Sequence, residues 1–563
     1  MSRTPLFHSL SRTLRLAWLA ERHRLPTREL LERRSELRER EARRTSRREF
    51  LGEVTRMAAS GALASLAGPL VSHAKPASSA APSIAIVGAG LAGLACADRL
   101  RQAGVAATLY EAAVRRVGGR VRSLTGVFPG RTVELGGEFI DYYHATILRY
   151  VQRYRLTRID LFDTAEDVLY RIDGVTYPEA TIVDLFRDVV QRMRQDLRSV
   201  TADIGARNFD ATPGSTDLRL DNTTLQAYLE QIGADPLFTK AIQSVFGGEY
   251  GQEIDRQSCL NFILFAKLTR SKSRIVYFGA NNAERYAIAE GNEAIARGLR
   301  DDFVAAGGVL ADGMDLVALR KASDGRYVLS FAGQKERTHD AVVLAIPATV
   351  IRSRVTHASN LGIAPQTRAA IAGLQYGDNT KTIFQLGSSQ PLVALGGDGT
   401  AYASDPARPN VQVAFPSKTP APGADRTMPV IVDYGFGARG RRLPQVDRDG
   451  RGFLAGYDDI FPGAAAAVVP LLDGSRFARA HWPSERNALG SYTCNQPGYF
   501  TTQEGWLGEP AGNLAFAGEH TDSFHNFQGF IEGAAQSGVR AAEYLLDRLA
   551  VGEGTTPRLT RVV

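Results

Sequence analysis

Three glycines near the start of an apolar segment are the first residues whose types and spacing suggest chemistry. They form the pattern Gly88-x-Gly90-x-x-Gly93, which follows an apolar strand predicted over Ile84 to Val87 and opens a predicted helix. Gly88 allows a tight turn, Gly90 lets a pyrophosphate approach the backbone, and Gly93 lets the helix lie close to the sheet. The helix would then direct its free amides and positive dipole end at phosphate groups. The spacing therefore predicts a dinucleotide site.

An acidic residue completes this pattern. A second strand is predicted from Val105 to Tyr110 and ends on Glu111. In a strand–helix–strand unit of this kind, a carboxylate at the end of the second strand accepts hydrogen bonds from the ribose hydroxyls of an adenosine. Glu111 is the residue predicted to do so.

Two further glycine pairs narrow the identity of the ligand. The first lies in the run from Arg115 to Arg120, RRVGGR, and the second is Gly136-Gly137 in ELGGE. Both segments resemble those of the flavin amine oxidase family, which comprises monoamine, polyamine and L-amino-acid oxidases. The resemblance implies that the ligand is FAD, with Arg120 near the pyrophosphate and the second glycine pair close to the flavin.

The C-terminal part contains another segment of the same resemblance. A short apolar strand runs into Gly518 and Glu519, and the sequence GFIEGA then opens a long helix. The resemblance places Gly518 and Glu519 near the ribityl chain and phosphate, with Phe530 and Ile531 under the flavin ring. A helix N-terminus directed at the ring would stabilise negative charge on the reduced flavin.

Three residues are predicted to act in catalysis. Lys381 lies in a segment, YGDNTKTIF, that resembles the family segment whose lysine reaches toward flavin N5 through a water. Tyr492 and Phe530 occupy the places of the two tyrosines that form an aromatic cage in monoamine oxidases. An amine passing between such rings meets their negative faces. Phenylalanine in place of one tyrosine keeps the wall and loses a hydroxyl.

Two other positions bear on how FAD would be held. Mammalian-type monoamine oxidases have a flavin-bound cysteine before the first cage tyrosine, whereas this chain has Ser491 there. The resemblance therefore implies FAD held without a covalent link. In the family, the strand that matches Asp315 to Arg320 supplies a backbone contact to adenine, and Val317 is the residue predicted to do so here.

These segments predict a flavoprotein of the α/β fold class. Its two lobes together are expected to have an α+β arrangement. A discontinuous Rossmann-like FAD-binding lobe is expected from residues 83–145, 288–350 and 491–550. Residues 146–287 and 351–490 are expected to form a substrate lobe of mixed sheet and helices. Apolar spacings of three and four predict helices from His144 to about Leu268, and the Gly-, Pro- and Asp-rich residues 385–450 predict loops and short strands.

The distribution of charge argues against a nucleic-acid partner. The chain carries a net charge of +7, yet residues 1–50 alone hold 14 arginines against seven glutamates. The basic character therefore belongs to the N-terminal segment, and the remaining body has no excess of positive charge for a polyanion. The three cysteines form no metal-ligand spacing and cannot make a disulfide framework. No metal site is predicted.

The N-terminal segment, residues 1–75, is predicted to direct export. The sequence SRREFLG from Ser46 to Gly52 resembles a twin-arginine signal, and a weakly apolar run and a small-x-small cleavage site near Ala74 follow it. The twin-arginine export machinery carries folded proteins, which suits an enzyme that binds its cofactor before export. A periplasmic or secreted enzyme beginning near Lys75 is expected. The alternative is a basic disordered tail with a short apolar helix.

The resemblance implies an FAD-dependent amine oxidase that converts the C–N bond of an amine or L-amino acid to an imine and reduces O2 to H2O2. L-amino-acid oxidases commonly place an arginine after the second glycine pair to hold the substrate carboxylate. This chain has Glu138 there, so primary amines, polyamines and L-amino acids stay unranked. A dehydrogenase or desaturase with another acceptor and a non-catalytic flavoprotein are the alternatives from other classes. A homodimer is left open.

Overall fold

The computed structural model describes most of the chain from residue 82 onward and a few residues before it. The described residues are 16–17, 26–27, 29, 82–161, 167–201, 209–268, 285–354, 360–395, 397–404, 410–417, 428–522 and 527–551. The twin-arginine motif, its apolar run and the cleavage site predicted from the sequence lie outside these residues.

The strands, in chain order, are β1 (Ile84–Val87), β2 (Ala107–Tyr110), β3 (Ser123–Phe128), β4 (Arg131–Glu134), β5 (Arg158–Asp160), β6 (Asp167–Ile172), β7 (Val175–Pro178), β8 (Tyr286–Ile288), β9 (Val309–Ala311), β10 (Leu316–Lys321), β11 (Tyr327–Phe331), β12 (Arg337–His339), β13 (Ala341–Leu344), β14 (Gln375–Tyr376), β15 (Thr380–Leu386), β16 (Gly397–Ser404), β17 (Val413–Ser417), β18 (Val430–Gly435), β19 (Val468–Val469), β20 (Ala478–His481), β21 (Thr493–Cys494) and β22 (Leu514–Phe516). The helices are α1 (Leu91–Gln102), α2 (Ala145–Arg153), α3 (Glu179–Arg192), α4 (Arg194–Ser199), α5 (Thr216–Asp221), α6 (Leu225–Gln231), α7 (Pro236–Tyr250), α8 (Leu260–Leu268), α9 (Glu293–Ala305), α10 (Ala348–Arg354), α11 (Pro365–Gly373), α12 (Gln390–Val393), α13 (Gly437–Val446), α14 (Arg451–Ile460), α15 (Tyr499–Thr502) and α16 (Ile531–Val551).

A five-stranded sheet organises the part of the chain that carries the glycine motif. Its order is β22-β13-β1-β2-β9, and every neighbouring pair is parallel. Its central strand β1 is buried at every position, as expected for a parallel sheet covered on both faces. Helices α1 and α16 pack closely, because a Cβ on Gly538 would lie 2.0 Å from the carbonyl oxygen of Ala92. All five strands come from the three segments that the sequence predicts for the FAD-binding lobe.

A second, larger sheet is formed by strands from the predicted substrate segments. Its order is β19-β15-β18-β17-β16-β6-β7, and β20 also pairs with β15. The pair β16–β6 is parallel and joins strands more than 200 residues apart. Strands β15 and β18 are buried throughout. The mixed sheet predicted for this lobe is therefore present, although residues 385–450 also contain an eight-residue strand and a ten-residue helix.

The block between His144 and Leu268 is mainly helical, as its apolar spacing predicts, but it also contains β5, β6 and β7. Helix α6 begins after Thr224, whose side chain caps it by accepting a hydrogen bond from the Ala227 amide. Helix α7 begins after Asp235 with proline at its first turn and ends at Gly251, whose φ is 73°.

No helix in the described part of the chain is long and apolar enough to cross a membrane. Among the same residues, no group of three or more His, Cys, Asp or Glu side chains is arranged to hold a metal ion. The three cysteines are buried and free, and burial raises the pKa of the Cys96 thiol to about 12. Cys96 is therefore a packing residue.

Candidate active site

A cavity at the carboxyl ends of the parallel strands brings together most of the residues predicted from the sequence. This is the edge at which α/β sheets bind nucleotides. The predicted residues that line it are Gly88, Gly90, Glu111, Arg120, Gly136, Gly137, Lys381, Tyr492, Gly518, Glu519, Phe530 and Ile531. Gly93 and Val317 do not line it. The cavity thus joins segments more than 400 residues apart.

The glycine turn has the geometry that a pyrophosphate requires. Gly88 has a φ of 101°, and a Cβ there would lie 2.6 Å from the carbonyl oxygen of Ala345. A Cβ on Gly93 would lie 1.9 Å from the carbonyl oxygen of Gly88, so Gly93 permits the turn without lining the cavity. By contrast, a Cβ on Gly90 would meet only the Gly119 Cα, at 4.0 Å. The backbone at Gly90 is therefore open to a ligand.

Glu111 is held in place by backbone amides. One carboxylate oxygen accepts a hydrogen bond from the Ala89 amide at 2.7 Å, and the other accepts one from the Ala113 amide at 2.8 Å. Burial raises the pKa of Glu111, while these bonds and the nearby Arg116 oppose the rise. The carboxylate is thereby fixed beside the glycine turn, at the position predicted for ribose recognition.

A buried ion pair links the first and last cofactor segments. The Arg120 guanidinium lies 2.8 Å from a Glu519 carboxylate oxygen and also donates to the Ser491 carbonyl at 2.9 Å. The other Glu519 oxygen accepts a bond from the Thr493 hydroxyl at 3.0 Å. Arg120 also lies over the Tyr376 ring, 5.2 Å from its centroid. The predicted residues Arg120 and Glu519 therefore form one charged unit at the cavity wall.

Lys381 uses all three of its N–H donors on one turn of the chain. Its ammonium donates to the Glu134 carbonyl at 3.0 Å, the Gly136 carbonyl at 3.2 Å and the Glu138 carboxylate at 2.8 Å. The Lys381 side chain is only 6% exposed and that of Glu138 only 5%. Lys381 therefore lies at the cavity, where the sequence predicts it, and also clamps the Gly136–Gly137 turn.

A second carboxyl beneath this turn has a strongly shifted pKa. Burial raises the pKa of Glu134 to about 8, and the Asn292 amide and the Ser123 hydroxyl, which hydrogen-bond to it, oppose the rise. The neighbouring Glu138 carboxylate raises this pKa further. The Glu134 carboxyl is therefore neutral below pH 8.

This shift predicts a pH dependence of stability. Because the folded-state pKa of about 8 lies above the ordinary value of 4.5, the carboxyl's contribution is fully present below pH 4.5 and is lost as pH rises through 8. We expect urea unfolding between pH 5 and 8.5 to show a decline of a few kcal/mol that Glu134→Gln reduces, since each pKa unit of difference is worth about 1.4 kcal/mol. The exposed Glu230→Gln should keep the wild-type slope. An unchanged slope in Glu134→Gln would contradict the expectation.

Aromatic side chains form the wall opposite the glycine turn. The Tyr492 hydroxyl donates to the Gly248 carbonyl at 3.1 Å and lies 3.0 Å from the Tyr434 hydroxyl. The Phe415 ring meets the Tyr434 ring edge-on at a centroid distance of 5.9 Å. The predicted cage residues Tyr492 and Phe530 both line the cavity, together with Phe139, Phe415 and Tyr434.

The sequence did not identify Phe139, Phe415 and Tyr434 as site residues. Tyr434 lies on β18 in a mostly apolar run, VIVDYG, that predicts only a buried strand. The available signal for Phe139 was its place directly after the glycine pair and Glu138. Nothing in the local sequence of Phe415 marks it as a cavity residue.

Val317 was predicted to contact adenine through its backbone, and that contact stays a prediction. The side chain of Val317 is 43% exposed, and its neighbours Met314, Asp315 and Leu316 line the cavity instead. Strand residues alternate between faces, and the β10–β11 pairing has a register shift between Leu316 and Ala318. This shift leaves Val317 unpaired on the outer face, and Leu316 takes the inner position.

The described residues fit a flavin dinucleotide. The open backbone at Gly90 and the fixed carboxylate of Glu111 suit a pyrophosphate and a ribose. At the other end, a Cβ on Gly137 would lie 2.7 Å from the Ile531 side chain, so only glycine leaves room between the turn and the start of α16. Together, the fold and this cavity define an FAD-dependent oxidoreductase.

Comparison with known proteins identifies the family. The sequence profile described as "Flavin containing amine oxidoreductase" matches residues 91–546. The chain belongs to this family, and FAD is its cofactor. The resemblance noted from the glycine motifs is thereby confirmed, and so is the α/β fold class.

Several relatives of known sequence span most of the chain. The chain is 22% identical to the flavin-containing amine oxidase B of Bos taurus, over 82% of this chain and 86% of that protein. It is 25% identical to the putative flavin-containing monoamine oxidase AofH of Mycobacterium tuberculosis, over 82% and 95%. It is 24% identical to polyamine oxidase 1 of Zea mays, over 86% of this chain and 94% of that protein.

Solved structures share the fold. Cyclohexylamine oxidase from Brevibacterium oxydans IH-35A superposes with a TM-score of 0.69 at 19% identity, covering 84% of this chain and all of that one. A putrescine oxidase bound to putrescine superposes with a TM-score of 0.67 at 18% identity, over 83% and 99%. These likenesses confirm the architecture.

Proposed function

We propose that this protein oxidises an amine that has an apolar body and no carboxylate. FAD, when bound, takes a hydride from the carbon that bears nitrogen and passes the electrons to O2, so that the products are an imine and H2O2. The observation that carries the proposal is the composition of the cavity, whose substrate-facing wall is aromatic and whose cations are all engaged by protein groups.

The aromatic wall supports an apolar amine. Phe139, Phe415, Tyr434, Tyr492 and Phe530 line the cavity and would bury a ring or alkyl chain. The hydroxyls of Tyr434 and Tyr492 bond to each other, and that of Tyr492 also donates to the Gly248 carbonyl. These bonds turn the polar ends of the two side chains toward protein and fix the faces of their rings. The protein's part is to orient the substrate and to exclude water.

The cations of the cavity are unsuited to a substrate carboxylate. Among the described lining residues, Arg120 is paired with Glu519, and Lys381 with Glu138. Arg354 forms an ion pair with Asp315, and Arg116 donates to the Gly119 carbonyl at 3.0 Å, close to Glu111. A carboxylate would therefore enter a buried site without a free counter-charge, which is costly. The replacement of the expected anchoring arginine by Glu138 has the same effect.

A matched pair of substrates tests the proposal. Phenethylamine and L-phenylalanine differ only in the carboxylate, and we expect kcat/KM for peroxide release to be about 10²-fold higher for the amine, which corresponds to ~3 kcal/mol. Cyclohexylamine, putrescine and L-lysine extend the screen to the other classes. Preference for L-phenylalanine would overturn the proposal. Flavin that the amine reduces but air does not reoxidise would indicate a dehydrogenase, and flavin that no substrate bleaches would indicate a non-catalytic protein.

The mode of FAD attachment is a separate prediction. Ser491 lines the cavity in the position where a flavin-bound cysteine would lie, and its hydroxyl donates to the Asn379 side chain at 2.6 Å. A serine forms no thioether to the flavin, so acid precipitation of the holoenzyme is expected to leave the yellow chromophore in the supernatant. Yellow pellets would contradict this prediction. Pellets of an enzyme with covalent flavin, precipitated in parallel, provide the control.

A further inference from the structure

A few residues that precede the predicted export motif are buried against the body of the protein. Leu16 is 5% exposed and Ala17 is fully buried. Both belong to the same hydrophobic core as Ile182, Val183 and Phe186 on the inner face of α3. Burial of a leucine at this level stabilises a contact by roughly 2 kcal/mol. We call the five described residues of this stretch, Leu16, Ala17, Pro26, Thr27 and Glu29, the N-terminal arm.

A polar contact fixes the arm to α3. Thr27 is 4% exposed, and its hydroxyl donates to the Asp184 carboxylate. The Arg187 guanidinium donates to the Thr27 hydroxyl oxygen at 3.1 Å and lies 3.6 Å from Asp184. Asp184 and Arg187 are one helical turn apart, so one threonine is held by both charges. Apolar and polar contacts therefore hold the same segment.

The burial of Leu16, Ala17 and Thr27 is not expected of a leader that is cleaved off. The sequence predicts that the enzyme begins near Lys75, which would remove every residue of the arm. A leader that is discarded has no need to fill core positions of the enzyme, and its loss would expose the apolar residues that Leu16 and Ala17 cover. The contacts of Thr27 are specific as well, because a hydroxyl that both donates and accepts must meet a paired acceptor and donor.

We propose that the N-terminal arm is a docked part of the folded enzyme, a clasp on α3. This proposal does not depend on which amine is oxidised.

Cysteine trapping in the full chain tests the docking. A disulfide forms only between residues whose side chains lie close together. The three natural cysteines are buried. In the Thr27→Cys/Asp184→Cys variant, we expect oxidation to give a disulfide-linked peptide pair by mass spectrometry, with at least about tenfold more cross-link than in Thr27→Cys/Glu336→Cys. Glu336 is exposed and lies outside α3. Equal cross-linking in the two variants would overturn the proposal.

Hydrogen exchange provides a second measurement that needs no cysteine. Leu16→Asp places a charge in the core, so we expect exchange of the amides of residues 179–192 to quicken roughly tenfold or more in the full chain. Val175→Asp is the matched control, because Val175 is an exposed apolar residue of β7 in the same lobe. Unchanged exchange in Leu16→Asp would show that the arm does not stabilise α3 and would overturn the proposal.

Discussion

Replacing Lys381 by methionine is expected to lower the free energy of unfolding by about 3–5 kcal/mol, because the buried Glu138 carboxylate loses the ammonium that pairs with it. Glu138 would then have the Ser417 hydroxyl, 3.3 Å away, as a neutral hydrogen-bond donor. The Glu134 and Gly136 carbonyls would lose the same donor. If Lys381 also moves a proton at the flavin edge, flavin reduction or reoxidation should slow by about 10²-fold. Urea unfolding and stopped-flow absorbance measure the two effects.

A second substitution separates the two roles of Lys381. In Lys381→Met/Glu138→Gln no buried charge is left alone, so we expect most of the lost stability to return. The rate is expected to stay low, because a neutral pair restores no proton carrier. Recovery of both quantities would mean that Lys381 acts only as a clamp. Full rates in the single variant would remove Lys381 from the reaction, and Lys335→Met, at an exposed turn, serves as the control.

The parts of the site that the sequence predicted are those whose chemistry is local. Gly88, Gly90 and Gly93 act within one turn, and their spacing alone specifies a backbone that a phosphate approaches. The helix beginning at Ile531 is recognisable for the same reason. The sequence did not predict which atoms of distant segments contact each other. The acceptors of Lys381 are mostly backbone atoms of a turn more than 240 residues away, and no side-chain pattern encodes them.

The features of the cavity that the sequence did not predict depend on distant contacts as well. Val317 and Leu316 are adjacent apolar residues, and only the register shift between β10 and β11 decides which of them faces the cavity. Tyr434 reads as one more residue of a buried strand until folding brings its hydroxyl to Tyr492. The N-terminal arm is a further example, because its basic composition predicts an export signal and does not predict that Leu16 and Ala17 are buried. Composition reports the exposed surface and says little about a minority of buried residues.

Replacing Arg120 by methionine is expected to remove the link between the two ends of the cofactor site. Glu519 is 5% exposed, so its carboxylate would stay buried after losing the guanidinium that lies 2.8 Å from it. We expect a loss of about 3–5 kcal/mol in the free energy of unfolding and an enzyme purified with much less FAD. Urea unfolding and the ratio of flavin to protein absorbance measure both.

Two comparison variants decide whether the pair itself is responsible. Arg120→Met/Glu519→Gln removes both charges and should recover at least about half of the lost stability, because a neutral amide is cheaper to bury than an unpaired carboxylate. Arg192→Met breaks the ion pair between Arg192 and Asp188, whose two side chains are 44% and 53% exposed, respectively. Its loss should lower the free energy of unfolding by less than about 1 kcal/mol. If Arg120→Met cost no more than Arg192→Met and kept its FAD, the pair with Glu519 would not hold the cofactor segments together. The comparison of Arg120→Met with Arg192→Met therefore measures how burial, rather than the number of ion pairs, changes the stability that is lost.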